Sequence, residues 1–204
     1  VTGVAGYWGS RMAAHLASEG RHHVIGLDGE QPARTINGLD FVLADVRNPL
    51  LPELLKSEGV DTVCHLDFVG ATQRSERIFD ANVMGTAKLL GACAQAGVRK
   101  VVLKSSTMVY GARPTNPAFL PEDHSLRPSR RYGYVRDLYE IEKFCNGFCN
   151  RVPEMVLTLL RFANIVGAEA RTPMTSFLRG PWAPSLMGFD PMMQVIHEDD
   201  VVEA

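Results

Sequence analysis

Three groups of residues in this chain have types and spacings suited to chemistry. Thr2-Gly3-Val4-Ala5-Gly6-Tyr7-Trp8-Gly9 sets three glycines three residues apart, as in a turn whose main chain comes close to a phosphate. Gly3 permits the tight turn, Gly6 lets the backbone approach a pyrophosphate, and Gly9 lets the following helix pack on its strand. A helix from Ser10 to Glu19 would point its free N–H groups and positive dipole end at that pyrophosphate. An ordinary glycine turn between strand and helix has the same composition, so these residues alone leave both readings open. In the second group, Ser105, Ser106, Thr107 and Tyr110 follow an apolar run, where hydroxyls either hold a reacting oxygen or simply shape a turn. The third group is Tyr132 and Arg136, which a helix would place on one face.

The elements that must carry these groups alternate between strand and helix. His23 to Asp28 reads as a buried strand ending in a carboxylate that lies 19 residues after Gly9. That is where a dinucleotide-binding unit puts its ribose-binding acid, although a turn or cap residue would look the same in isolation. Further strands are predicted at Phe41–Asp45, Asp61–Leu66, Val98–Lys104, Val156–Phe162 and Gln194–His197, with Asp45 and Val46 at one strand's carboxyl end. Helices are predicted around Pro52–Ser57, over Phe79–Ala96 and over Tyr132–Arg151, and the first helix stops at Gly20. Asn82 and Thr86 fall on the Phe79–Ala96 helix, where plain solvation is the simpler account. The connection from Gly111 to Arg131 contains four prolines and suits a substrate loop. Pro173 to Pro191, with Phe177, Trp182 and Phe189, reads as irregular structure, and Glu198-Asp199-Asp200 as the cap of a further helix. This alternation predicts an α/β fold, a doubly wound parallel sheet (Rossmann) over residues 1–167 with part of a smaller substrate lobe in 168–204. Ligands of such a sheet sit at the carboxyl ends of its strands.

With 46% hydrophobic and 22% charged residues and a net charge of −2 over 204 residues, the chain suits a soluble globular protein. No basic excess points to nucleic acid, and no apolar run is long enough to span a bilayer, so the expected compartment is the cytoplasm. Cys64, Cys93, Cys145 and Cys149 show no metal or disulfide framework and are expected to be reduced thiols, with no metal bound. Val1 reads as the end of a strand and the last helix stops at Ala204, so the sequence is expected to be trimmed at both ends.

Taken in order, the segments TGVAGYWG, GLD, ADV, CHLD, NVMGT, SSTMVYG, YGYVR, RFAN and IHEDDV resemble the extended short-chain dehydrogenase/reductase superfamily, in particular its NAD-dependent epimerase/dehydratase family. The resemblance implies that Gly3, Gly6 and Gly9 cradle the pyrophosphate of NAD and that Tyr7 and Trp8 also bind the cofactor. It implies that Asp28 holds the adenosine ribose, that Asp45 and Val46 border the adenine, and that Leu66 and Asp67 lie along the cofactor. Ser106, with Thr107 beside it, then matches the group that holds the substrate oxygen. Asn82 matches the helix asparagine beside the site and Asn164 the residue on the substrate's phosphate side. Tyr132 matches the catalytic tyrosine, which removes a hydroxyl proton while hydride passes to the nicotinamide. The family lysine is replaced by Arg136, and Asp67 stands where a small residue is usual. Arg136 supplies a cation beside Tyr132 with a different shape and reach. Asp67 would attract the nicotinamide ring, repel the pyrophosphate, or pair with Arg136. The resemblance implies a nucleotide-sugar substrate and a homodimer packed through the two long helices, with Val83, Leu90, Leu138, Ile141 and Phe144 suited either to that interface or to the core. The alternatives are a catalytically weak NAD-binding sensor or scaffold, and a reductase or dehydratase on a non-sugar substrate.

Overall fold

Short β-rich apolar runs that alternate with helices leave each strand buried on both faces, which favours a parallel sheet. The computed structural model describes residues 1–70, 75–182, 187–188 and 193–204 and shows that sheet. Strands β1 (Val24–Asp28) and β2 (Leu39–Leu43) pair in parallel, as do β3 (Thr62–His65), β4 (Lys100–Ser106) and β5 (Val156–Phe162). Thr2 bridges Leu27 on one side and His65 on the other, both in parallel. The order is therefore β2, β1, the Thr2 segment, β3, β4, β5, with the chain reversing direction of travel beside the glycine turn.

Helices α1 (Tyr7–Ser18), α2 (Leu51–Ser57), α3 (Glu76–Phe79), α4 (Gly85–Ala96) and α5 (Gly133–Cys149) make the crossovers. A π-helical turn, Asp80–Met84, joins α3 to α4. A second parallel pair, β6 (Asn164–Val166) and β7 (Val195–His197), carries α6 (Pro173–Leu178) and α7 (Asp200–Glu203). The main core lies between the sheet and the α4/α5 layer, where Val101 and Leu103 meet Leu89, Leu90, Ile141 and Cys145. Leu90, Leu138 and Ile141 are buried within the chain and so serve its core. Cys93 and Cys145 are buried thiols, each pushed up to about 12 by desolvation.

Several boundaries differ from the sequence-based expectation for local reasons. α1 starts at Tyr7, three residues early, because Gly6 takes the extended N-cap conformation. β2 lies two residues earlier than expected, its register fixed by Val24 pairing with Leu39. The prolines after Ala170 do not produce only irregular structure: Pro173 occupies the first turn of α6. There Thr172 Oγ1 accepts from Thr175 N at 3.1 Å and Thr175 Oγ1 from Thr172 N at 2.8 Å, a reciprocal cap. Phe189 of that stretch lies outside the described residues. Asn82 and Thr86 do not face solvent; both are buried. Among the described residues no helix is long and apolar enough to cross a membrane.

A buried ionic cluster ties α5 to strands β4 and β5. Glu142, wholly buried, accepts from Ser105 Oγ at 2.5 Å and from Arg161 Nε and Nη2 at 3.0 and 2.8 Å. Arg161 also donates to the Tyr110 hydroxyl at 2.7 Å. Truncating one partner of such a pair leaves the other charge unpaired away from water. Glu142→Ala is accordingly expected to lower unfolding free energy by about 3 to 5 kcal/mol in urea titration. A loss under about 1 kcal/mol would show that the pair is dispensable.

Candidate active site

The glycine turn fills its own space. Gly3 has a φ of +77°, and a Cβ there would sit 2.7 Å from the backbone of Asp67. At Gly9 a Cβ would lie 2.0 Å from the Gly3 carbonyl oxygen, so α1 packs on the turn with no room for a side chain. Gly3 N donates to Leu27 O and Gly6 N to Gly3 O, at 2.9 and 3.0 Å. No side chain caps α1, whose first N–H groups therefore remain available to an anion. These features fit a dinucleotide's pyrophosphate.

The carboxylate expected at the end of β1 is in place. Asp28 is buried and accepts from Ala5 N at 2.8 Å and Glu30 N at 3.0 Å, which fixes its side chain against the turn. Asp45 is held by Arg47 through Nη2 at 2.6 Å, Nε at 2.9 Å and the backbone N–H at 2.7 Å. Arg47 holds the Asp45 carboxyl below the usual range and also donates to Asp80 at 2.7 Å. Val46 is buried against Gly85. Asp67 is half-buried beside the turn, and among the described residues it makes no ion pair, Arg47 acting on it only weakly from a distance. Desolvation, with the charges of Asp28 and Asp45, pushes it up to about 6.

The remaining expected residues gather at the carboxyl edge with unequal freedom. Ser106 ends β4, and its Oγ accepts from Met108 N at 3.3 Å, opening a 3₁₀ turn through Thr107. Tyr132 is not within α5 but caps it, in extended conformation, with its side chain 47% exposed. Among the described residues its phenol has no hydrogen-bond partner. Arg136 does not turn to that phenol. Its Nε and Nη2 donate to Asp137 at 2.9 and 2.8 Å, Nη1 lies 3.9 Å from Glu76, and the guanidinium covers the Phe79 ring. Asp67 is not its partner; Asp137 is. Asn82 is engaged at both ends of its amide, by Val69 N and O and by Asp137 Oδ2. Asn164 donates to Gln194 O at 3.3 Å, next to β7.

Two features escaped sequence reasoning. His65, fully buried, lies 2.7 Å from Thr2 Oγ1 and 3.0 Å from Thr86 Oγ1. Because Thr86 gives its own proton to Asn82 O at 2.6 Å, it can only accept from His65 Nε2. Nε2 thus carries a proton, and burial, which pushes the imidazole down to about 3, keeps the ring neutral. A histidine inside an apolar strand was the available signal. The second feature is Lys104, whose ammonium lies 3.4 Å from the Tyr134 hydroxyl and 5.7 Å from the centre of the Trp8 ring. Its place on a buried strand was a signal of the same kind.

A doubly wound sheet with an uncapped glycine turn, a fixed carboxylate at the end of the next strand and a phenol at the head of α5 defines a dinucleotide-dependent α/β protein. The model of the NAD-dependent epimerase/dehydratase family matches residues 1–204, and the chain belongs to that family. An uncharacterised protein of Mycobacterium tuberculosis is 35% identical over 213 residues, covering all of this chain and 57% of the relative. UDP-glucose-4-epimerase from Stenotrophomonas maltophila, solved with NAD and formylated UDP-arabinopyranose, has a TM-score of 0.70 at 30% identity, over 83% of this chain and 53% of its own. MoeE5, solved with UDP-glucuronic acid and NAD, has a TM-score of 0.77 at 28% identity, over 99% and 68%. The chain spans little more than half the length of the first curated relatives.

The Asp67 environment generates a pH dependence. A carboxyl whose folded value is raised contributes its stability below the unfolded value near 4 and loses it as pH rises through about 6. The cofactor-free protein should therefore lose the Asp67 contribution to its melting temperature between about pH 4 and 6, with no further loss from this group above about pH 7. Asp67→Asn should flatten that loss and melt higher than the parent at pH 7.5; an unchanged slope would remove Asp67 as its origin.

Proposed function

We propose that this chain carries the cofactor half and the reacting edge of an enzyme that oxidises and re-reduces one carbon of a nucleotide-activated sugar. The observation that carries it is the glycine turn closed around an uncapped helix start, with Asp28 fixed beside it and, at the same sheet edge, the Tyr132 phenol, unpartnered among the described residues. The nucleotide sugars named for the solved relatives support the substrate class. NAD, when bound, supplies the hydride acceptor and donor. The backbone of Gly3 to Gly9, with Tyr7 and Trp8, would hold its pyrophosphate and Asp28 its ribose hydroxyls, while Val46, Leu66 and Asp67 line its length. Ser106 would hold the reacting hydroxyl, Tyr132 take its proton, and Thr107 and Asn164 bound the sugar nucleotide. Oxidation leaves a ketone on the sugar, and reducing it from the opposite face inverts the centre.

Arg136, bound by Asp137, favours a second reading in which the chain binds NAD but turns over weakly. A homodimer belongs to the proposal as well. Because Leu90, Leu138 and Ile141 are spent in the core, its interface would use Val83 and Phe144, which are only partly buried.

Two measurements test the reading. Asp28 would repel a 2′-phosphate, so fluorescence titration should show tighter binding of NAD than of NADP; the reverse order would overturn its role. Tyr132→Phe should cut turnover on the order of a hundredfold to ten-thousandfold with NAD affinity retained. Undiminished turnover in that variant would remove Tyr132 from the proton transfer.

A further inference from the structure

A phenol that takes a proton from a hydroxyl works best with a cation near it, because the negative charge it carries is costly at a partly desolvated edge. Helix α5 offers Arg136 for that task, yet Arg136 is drawn to the buried carboxylate of Asp137, approaches Glu76, and stacks on Phe79. Its charge is already compensated. Lys104 presents the opposite case. It is half-buried on β4, two residues before Ser106 and on the same face of the strand, and among the described residues no carboxylate pairs with it. Its contacts are the Tyr134 hydroxyl at 3.4 Å and the Trp8 ring at 5.7 Å.

Those two contacts place the ammonium between the two helix starts that frame the crevice. Trp8 belongs to the first turn of α1, directly after the glycine turn, and Tyr134 to the first turn of α5, two residues from Tyr132. The stem of Lys104 lines one small apolar pocket with Trp8, Leu66 and Phe162, the last two from the carboxyl ends of β3 and β5. An apolar stem under a polar head keeps the ammonium at the rim while its methylenes stay covered.

We propose that Lys104, held by Tyr134, is the cation of this active site in place of the helix residue Arg136. The inference rests on the reading that NAD and the sugar nucleotide meet at this edge. Lys104 acts through the phenols of α5 and is a positioning residue: its charge steadies the phenolate as the substrate proton arrives and is returned. No bond to Lys104 forms or breaks. Arg136, Asp137 and Asn82 then form a brace that locks α5 to the π-helical turn.

Differential acylation of the intact protein with acetic anhydride, read by peptide mass spectrometry, tests the placement without any variant. NAD should slow modification of Lys104 while Lys100 and Lys143 react as before. Equal labelling of Lys104 with and without NAD, in protein that calorimetry shows to bind NAD, overturns the proposal and leaves the cofactor reading standing; protein that binds no NAD overturns both. Lys104→Met keeps the apolar stem and removes the charge, and it should lower turnover on the order of a hundredfold with little change in NAD affinity or sugar-nucleotide KM. Lys104→Arg should recover part of that loss. Parental turnover in Lys104→Met, or a loss confined to KM, overturns the role.

Discussion

The contact on which the structure depends is the approach of Gly9 to Gly3. The helix start lies so close over the turn that any Cβ at Gly9 would overlap the Gly3 carbonyl. Closeness here has two consequences. The first-turn N–H groups of α1 converge on the space above the turn, and their dipoles add there rather than being spent on a capping side chain. The turn also presses on the Leu66–Asp67 backbone through Gly3, so β3 ends against it. Asp67 is thereby carried into the same dry corner as Asp28, which explains why its charge is poorly tolerated there.

From that corner a polar spine runs through the interior. Thr2 in the sheet's central position meets His65, His65 meets Thr86, and Thr86 meets the carbonyl of Asn82. The Asn82 amide holds Asp137, which holds Arg136. Each polar side chain of this spine has a partner, so the spine costs little and fixes the sheet centre, the π-helical turn and α5 relative to one another. The π-helical turn falls where this chain crosses the helix, consistent with an inserted residue that lets Asn82 face inward. Glu142 and Arg161 do the same work on the far side of α5, joining it to β4 and β5. The head of α5, with Tyr132 and Tyr134, is held from two sides.

Much of this was legible in the chain. The glycine spacing, the acid ending β1 and the strand–helix alternation are local patterns with local physical causes, and they yielded the parallel sheet; the family came from the resemblance of the ordered segments. The pairing of charges was not legible. Whether Arg136 would serve Tyr132, Asp67 or something else depended on where Asp137 and Glu76 lay, and helical spacing alone does not decide between partners of similar reach. Glu142 stood in plain view, four residues after Leu138 on the apolar face of α5, a position where a carboxylate must have a buried partner. That partner, Arg161, is distant in sequence, as is Tyr134 from Lys104. The boundary of α5 also hid: one residue decided whether Tyr132 projects from a helix or precedes it.

The central claim is that the crevice above the glycine turn brings NAD and a nucleotide sugar together at the Tyr132 edge. It is tested most directly by adding a panel of nucleotide sugars to the NAD-loaded protein and following absorbance at the wavelength of reduced nicotinamide, with the sugars analysed afterwards. The account predicts reduction, transient or lasting, with at least one member of the panel, and a changed sugar. Bound NAD that is never reduced by any of them, with every sugar recovered unaltered, would contradict it.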